Sequence, residues 1–196
     1  MTLALFDFDG TITRRDTFLD FLLYCFGYIK VATVLTRLSP WIAQYAVGRI
    51  RNDQLKQRFL KAFFHRMPIA DVRRMGEAFA RDILPERTKP SAMERLLWHQ
   101  EQAHRVVLVS ASLDVWLEPW CSTHSIELIS SRLEIEDGLI TGRLDGLNCY
   151  GAEKVRRIRE RIDLSAYKTI YAYGDSRGDS EMLAISGRPH YRFFRG

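Results

Sequence analysis

Short apolar runs recur at residues 3–8, 106–109, 126–129 and 169–173, each separated from the next by a stretch with helical period or a turn signal. Runs of that length suit strands covered on both faces, as in a parallel sheet. Their alternation with helices predicts an α/β fold with an open, Rossmann-like parallel sheet. Between the first run and the second the pattern changes to helical throughout. Asn52 has N-cap chemistry and opens "DQLKQRFLKAFFHRM", where Leu55, Phe59, Leu60, Phe63 and Met67 share one face. Beyond Pro68, apolar residues continue at Val72, Met75, Phe79 and Ile83, in steps of three and four. The segment "RLEIEDGLITGRL", residues 132–144, alternates about Asp137 and Gly138 and predicts a small β-hairpin with a two-residue turn.

This order divides the chain into a sheet-based core, residues 1–14 and 91–196, and an all-helical cap, residues 15–90, inserted directly after the first strand. Because ligands bind at the carboxyl ends of the strands in such sheets, an insertion there stands over whatever the first strand carries. The apolar segment 18–47 is interrupted by Asp20, Lys30, Arg37 and a Ser39–Pro40 break, so each uncharged run falls short of the ~18–20 residues of a membrane span. It reads as a helical pair packed on itself and on the core. The other reading lays it against a bilayer surface, anchored by Phe26, Trp41 and Tyr45.

Composition narrows the class without choosing a function. The chain of 196 residues is 46% hydrophobic and 27% charged, which excludes disorder and collagen-like sequence. Its 29 Lys and Arg against 24 Asp and Glu give a net charge of +5, suited to anionic small molecules, nucleic acid or anionic lipid headgroups. Cys25, Cys121 and Cys149 are widely spaced, which argues against a disulfide framework or a zinc site and for a reducing, cytoplasmic setting. The start lacks the pattern of a signal peptide. Neither repeats nor low-complexity tracts are present.

The candidate chemistry begins in "LALFDFDGTITRRDTF". Side chains alternate along a strand, so Asp7 and Asp9 leave its tip on one side, and Gly10 and Thr11 turn the chain. After the last apolar run, "YGDSRGDSEML" places Asp175 at another strand tip and Asp179 four residues on. Acids converging at one sheet edge raise one another's pKa and require a cation. Carboxylate oxygens, with His65, His99, His104, His124 and His190 scattered elsewhere, point to Mg2+ rather than zinc. Helix capping is the competing role for Asp175 and Asp179.

The second strand ends at Ser110, whose hydroxyl, with the backbone N–H groups of Ala111 and Ser112, can donate to phosphate oxygens. Lys154 opens a basic helix and can neutralise both a phosphate and a carboxylate. Arg156, Arg157, Arg159 and Arg161 read as that helix's solvated face.

Taken together, "DFDGT" after a strand, Ser110, Lys154 and "GDSRGD" resemble, in order and over most of the chain, the four motifs of the haloacid dehalogenase superfamily of phosphatases. The helical insertion is similar to the cap of the branch that includes phosphoserine phosphatase. The resemblance implies a Mg2+-dependent phosphomonoester hydrolase working through an aspartyl-phosphate. Asp7 would be the nucleophile and Asp9 the general acid and then base. Ser110 and Lys154 would hold the phosphoryl group, among Gly10, Thr11 and Ala111. The metal ligands would be Asp7, the Asp9 carbonyl and Asp175, with Asp179 in support. Asp16 falls where relatives place an acid for a substrate amine, which favours a small phosphorylated metabolite such as phosphoserine or histidinol phosphate; capping of the next helix is its other role. A lipid substrate of the phosphatidylglycerophosphate type at a membrane surface is the alternative within the same chemistry. A non-catalytic phosphate or nucleic-acid binder is the alternative of another class, and no nucleic-acid partner is expected. The end, "SGRPHYRFFRG", stops soon after the last motif, where relatives often continue.

Overall fold

The structure is a computed structural model and describes residues 1–194. Five strands, β1 (Thr2–Phe6), β2 (Arg105–Leu113), β3 (Glu127–Ser131), β6 (Thr169–Gly174) and β7 (Arg188–Tyr191), form one sheet in the order β3-β2-β1-β6-β7. All of its pairings are parallel. A second, antiparallel sheet is the hairpin of β4 (Leu133–Glu136) and β5 (Leu139–Leu144). The fold is therefore α/β and Rossmann-like. β1 lies at the centre, and its Leu3, Ala4, Leu5 and Phe6 are wholly buried because helices cover both faces.

Thr13 and Thr88 form an isolated bridge, flanked by Lys89 N–H to the Ile12 carbonyl and Arg14 N–H to the Arg87 carbonyl. Through this neck the chain leaves the sheet and returns. Between lie α1 (Thr17–Ala46), α2 (Asn52–Phe64), α3 (Ile69–Asp82) and the short α4 (Leu84–Arg87), after which α5 (Pro90–Glu101) leads back to β2. The insertion is packed tightly onto the sheet layer. Gly76 of α3 sits so close to the Val115 carbonyl of α6 (Asp114–Thr123) that a Cβ would overlap it. Beside that contact, Trp116 is buried against Phe21 and Phe79. The hairpin joins the same block: Leu139 bridges Pro68, and Gly142 presses on the Lys61 backbone of α2. Its turn has Asp137 at φ 50° and Gly138 at φ 78°, the double positive φ of the tight turn read from the sequence.

Two local expectations need correction, and one strand was not expected. Residues 18–47 form two helical halves, but the break lies at Gly27 (φ 72°), not at Ser39–Pro40. Pro40 deprives the Thr36 carbonyl of its N–H donor, and the Ser39 hydroxyl donates to that carbonyl instead at 2.9 Å, so the helix runs on. The strand β7 carries a proline and two basic or imidazole residues in four positions and has no strand pattern; it exists because β6 offers it an edge. The arginines of α7 (Ala152–Arg161) are not simply solvated. Arg157 donates to the Ser130 and Leu147 carbonyls and pairs with buried Glu153, and Arg161 donates to the Leu128 carbonyl.

Candidate active site

The site grows from the end of β1. Asp7 N–H continues the ladder to the Tyr173 carbonyl of β6 at 2.9 Å, which carries the Asp7 side chain past the sheet edge. The chain then turns tightly, with the N–H groups of Thr11, Ile12 and Thr13 all directed at the Phe8 carbonyl. Gly10 is at φ 77°, and a Cβ there would overlap the carboxylate of Asp175. Glycine is required on both counts.

The two acids of this turn have different surroundings. Asp7 is buried; Lys154 Nζ donates to its Oδ1 at 2.6 Å and the Thr11 hydroxyl to its Oδ2 at 3.1 Å. Burial pushes its carboxyl up to about 7, with Asp179 and Asp9 adding and Lys154 opposing. Asp9 accepts from the Thr17 N–H and hydroxyl, both at 2.7 Å, and from the Ser112 hydroxyl at 2.5 Å. Burial, then the charge of Asp16, pushes its carboxyl up to about 6, while those donors pull it back. One acid faces an ammonium and further acids. The other accepts from neutral donors alone, which favour its ionised form, so ionising Asp7 ahead of Asp9 requires a cation against Asp7.

Lys154, 1% exposed, bridges Asp7 and Asp179 at 2.6 Å each. Burial disfavours its charge, but the two carboxylates outweigh that, and its pKa lies above the usual lysine range. Asp179 has little left to offer a ligand. Its Oδ1 takes Lys154, and its Oδ2 takes the N–H groups of Asp175 and Ser176 and the Ser176 hydroxyl. Although burial acts upward on Asp179, Lys154 and these donors hold it below the usual carboxylate range. Asp175 is different: burial and Asp179 push it upward, and its Oδ1 is buried without a partner.

Ligand oxygens of Asp7, Asp175 and Asp179 lie within 4.8 Å of one another. One ammonium contacts two of the three acids, Asp7 and Asp179, and the third keeps a buried oxygen without a partner. An all-oxygen set short of positive charge fits a hard divalent cation, with Asp175 Oδ1 as the open donor and Asp7 beside it.

A cavity of about 770 Å³ takes in Asp7, Asp9, Ser110, Lys154 and Asp175 on one wall. The sequence-separated groups thus meet at one sheet edge; Gly10, Ala111, Asp16 and Asp179 line the same cavity. Thr11 does not line it, since its hydroxyl is turned to Asp7. Nor is the Ser112 N–H open to a ligand, because it donates to Ser110 Oγ at 3.0 Å. Asp16 does two things: it caps α1 through the Phe18 N–H at 2.8 Å and raises the proton affinity of Asp9.

Four contributors were not legible beforehand. Ser112 and Thr17 hold Asp9. Lys56 reaches in from α2 to the Ala111 carbonyl and to Asn148 Oδ1, its ammonium pushed down to about 8 by burial, which Asp9 and Asp16 partly offset. Lys89, at the neck, donates to the Gly10 carbonyl at 2.6 Å and steadies the turn. Only the Ser112 spacing, two residues past Ser110 on an extended strand, carried a signal; Lys56 looks like any helix lysine.

Comparisons with known proteins bear on the family and the fold. Over 196 residues the chain is 37% identical to Protein CicA of Caulobacter vibrioides, covering 99% of this chain and 87% of that protein. A protein with unknown function from Bordetella pertussis Tohama I superposes with a TM-score of 0.82 at 25% identity, covering 96% of this chain and 88% of that one. A phosphoserine phosphatase with a phospho-aspartyl intermediate analogue superposes with a TM-score of 0.61 at 21% identity, over 94% of this chain and 83% of that one, and shares the fold. Residues 4–184 match the model of the haloacid dehalogenase-like hydrolases, and the chain belongs to that family.

Proposed function

We propose that the protein is a Mg2+-dependent phosphomonoesterase in which Asp7 is the nucleophile. The observation that carries the reading is the unequal pair in one turn: Asp7 against Lys154 and the acidic group, Asp9 on neutral donors beside it. A carboxylate oxygen of Asp7 attacks phosphorus, the ester P–O bond breaks, and the departing alcohol oxygen takes the proton of Asp9. Asp9 then accepts a proton from water as its oxygen attacks the aspartyl-phosphate, returning Asp7 and releasing inorganic phosphate. Ser110 and Lys154 donate to the phosphoryl oxygens. Asp7 and Asp175, with Asp179 beside them, would hold the Mg2+, which when bound would supply positive charge to balance those oxygens.

Two substrate readings follow from different parts of the cavity. Asp16 and Lys56, which line the cavity, suit a compact amino-alcohol phosphate such as phosphoserine or histidinol phosphate. Leu19, Leu22, Leu35, Leu55 and Phe59 line the same cavity, and this apolar wall favours a phosphate ester with an apolar tail. Release of inorganic phosphate is to be measured from p-nitrophenyl phosphate, the two amino-alcohol phosphates and a diacylglycerol phosphate in mixed micelles, with Mg2+ or with chelator. Mg2+-dependent release is expected. If none of the four releases phosphate with Mg2+, the proposal is wrong.

The raised carboxyls set a pH prediction. Asp7 and Asp9 bind protons more tightly folded than unfolded, so between about pH 4 and 7 their contribution to metal-free stability falls as pH rises, while His99, pushed down to about 3 by burial, contributes in the opposite sense. Between pH 5.5 and pH 8 the chelated protein is therefore expected to lose more stability than Asp7→Asn, which lacks the larger of the two acid contributions. Mg2+ is expected to raise the melting temperature more at pH 8, where both acids are ionised. Thermal scans across pH with chelator and with Mg2+ check both signs.

Gly10 offers another test. Gly10→Ala forces a Cβ into the Asp175 carboxylate at a positive φ, so Mg2+-dependent stabilisation and turnover are both expected to be lost. Calorimetric titration with Mg2+ reads the first and phosphate release the second.

A further inference from the structure

We propose that the outer face of α1 docks on the surface of an anionic lipid bilayer, lying in the interface without spanning it. The helix is long and apolar enough to cross a membrane, yet only 28% of its most apolar stretch is buried inside the protein. Its inward face, including Phe21, Leu22, Val31 and Val34, is committed to the core, and Gly27 bends the helix; both oppose insertion across a bilayer.

The outward face is unusual in what it shows to solvent. Just past the bend, Tyr28 is 80% and Ile29 87% exposed, and Val47, at the far end, is 68% exposed. Between them the exposed positions Ala32, Thr33, Thr36, Pro40 and Ala43 continue the same side at steps of three and four. The hydroxyls there are already spent: Thr33 donates to the Ile29 carbonyl at 2.8 Å and Thr36 to the Ala32 carbonyl at 2.9 Å. Donors turned back onto the helix lose nothing when water is replaced by lipid.

Charge identifies the occupant. From residue 21 to 52 the chain has no Asp or Glu; its charges are Lys30, Arg37, Arg49 and Arg51. Arg51 pairs with Asp53, whereas Lys30, Arg37 and Arg49, all exposed, form no ion pair among the described residues, Lys30 lying over the Phe26 ring at 4.1 Å. A second copy of this chain would bring the same unpaired cations face to face. Anionic headgroups complement them, and tyrosines at the rim suit the headgroup depth.

The test is co-sedimentation of the full chain with vesicles of phosphatidylcholine alone and of phosphatidylcholine with phosphatidylglycerol. Partition is expected to be about tenfold stronger on the anionic vesicles and to weaken as salt screens the headgroups. The double variant Tyr28→Ser, Ile29→Ser and the double variant Lys30→Gln, Arg37→Gln are each expected to lower it about tenfold without changing the melting temperature, since these side chains are exposed. The proposal is overturned if the protein stays in the supernatant at low salt, if both vesicle types bind it equally, or if neither variant matters. It is also overturned if the lipid-free protein is a dimer that Tyr28→Ser, Ile29→Ser dissociates. Hydrolysis of p-nitrophenyl phosphate is a separate readout, so failure here leaves the phosphomonoesterase reading standing.

Discussion

Replacing Asp7 with Asn is expected to lower kcat by about 10⁴-fold or more while leaving the folded protein intact, because in the proposed mechanism this carboxylate forms the bond to phosphorus. The amide keeps an oxygen for the Lys154 hydrogen bond at the Oδ1 position. It also removes a charge that burial already disfavours, as the upward shift of Asp7 to about 7 records. In chelator at pH 8 the variant is therefore expected to melt at or above the wild-type temperature, and to gain less from Mg2+. Phosphate release, circular dichroism and melting with and without Mg2+ separate these effects. Substantial turnover in Asp7→Asn would remove the covalent step; a collapsed fold would mean that Asp7 is needed for structure.

Replacing Lys154 with Met has a large effect of the opposite kind, on stability as well as on turnover. The ammonium is the only group paired with both Asp7 and Asp179 among the described residues. Without it two buried carboxylates face each other uncompensated, a loss of about 3–5 kcal/mol by analogy with broken buried ion pairs. Urea unfolding at pH 8 in chelator reads that loss. Adding Asp7→Asn to Lys154→Met is expected to restore part of it, since one of the stranded charges disappears, and the double-mutant cycle measures the coupling. Lowering the pH should also narrow the gap between Lys154→Met and wild type, because protonation does to Asp7 what the amide does. A difference of under about 0.5 kcal/mol at pH 8, the scale of a change at an uninvolved surface site, would show that the lysine charge is not what balances this cluster.

The two substitutions act on groups 147 residues apart in sequence that touch at 2.6 Å. Such contacts explain which features could be read from the chain and which could not. Local chemistry was readable. Apolar runs too short for helices marked β1, part of β2, β3 and β6; Asp137 and Gly138 marked the hairpin turn; three- and four-residue steps marked α2 and α3. The pair Asp7 and Asp9 stood out for the same reason, since strand alternation and one glycine place both acids within a single turn. Ser110, Lys154 and Asp175 were legible only as a set in a fixed order, because each alone has a commoner structural role.

The sequence by itself determined where strands, turns and the acidic loop lie, because those depend on φ, ψ and the spacing of neighbours. Only the tertiary structure decided what each polar group is paired with. It turned Ser112 and Thr17 to Asp9, brought Lys56 of α2 over the cavity, gave β7 an edge to join, tied Arg157 to carbonyls and let α1 pass Pro40 yet bend at Gly27. Each of these is a question of which distant backbone or side chain offers the missing partner, and burial makes leaving a group without one costly, so the answer depends on the packed whole.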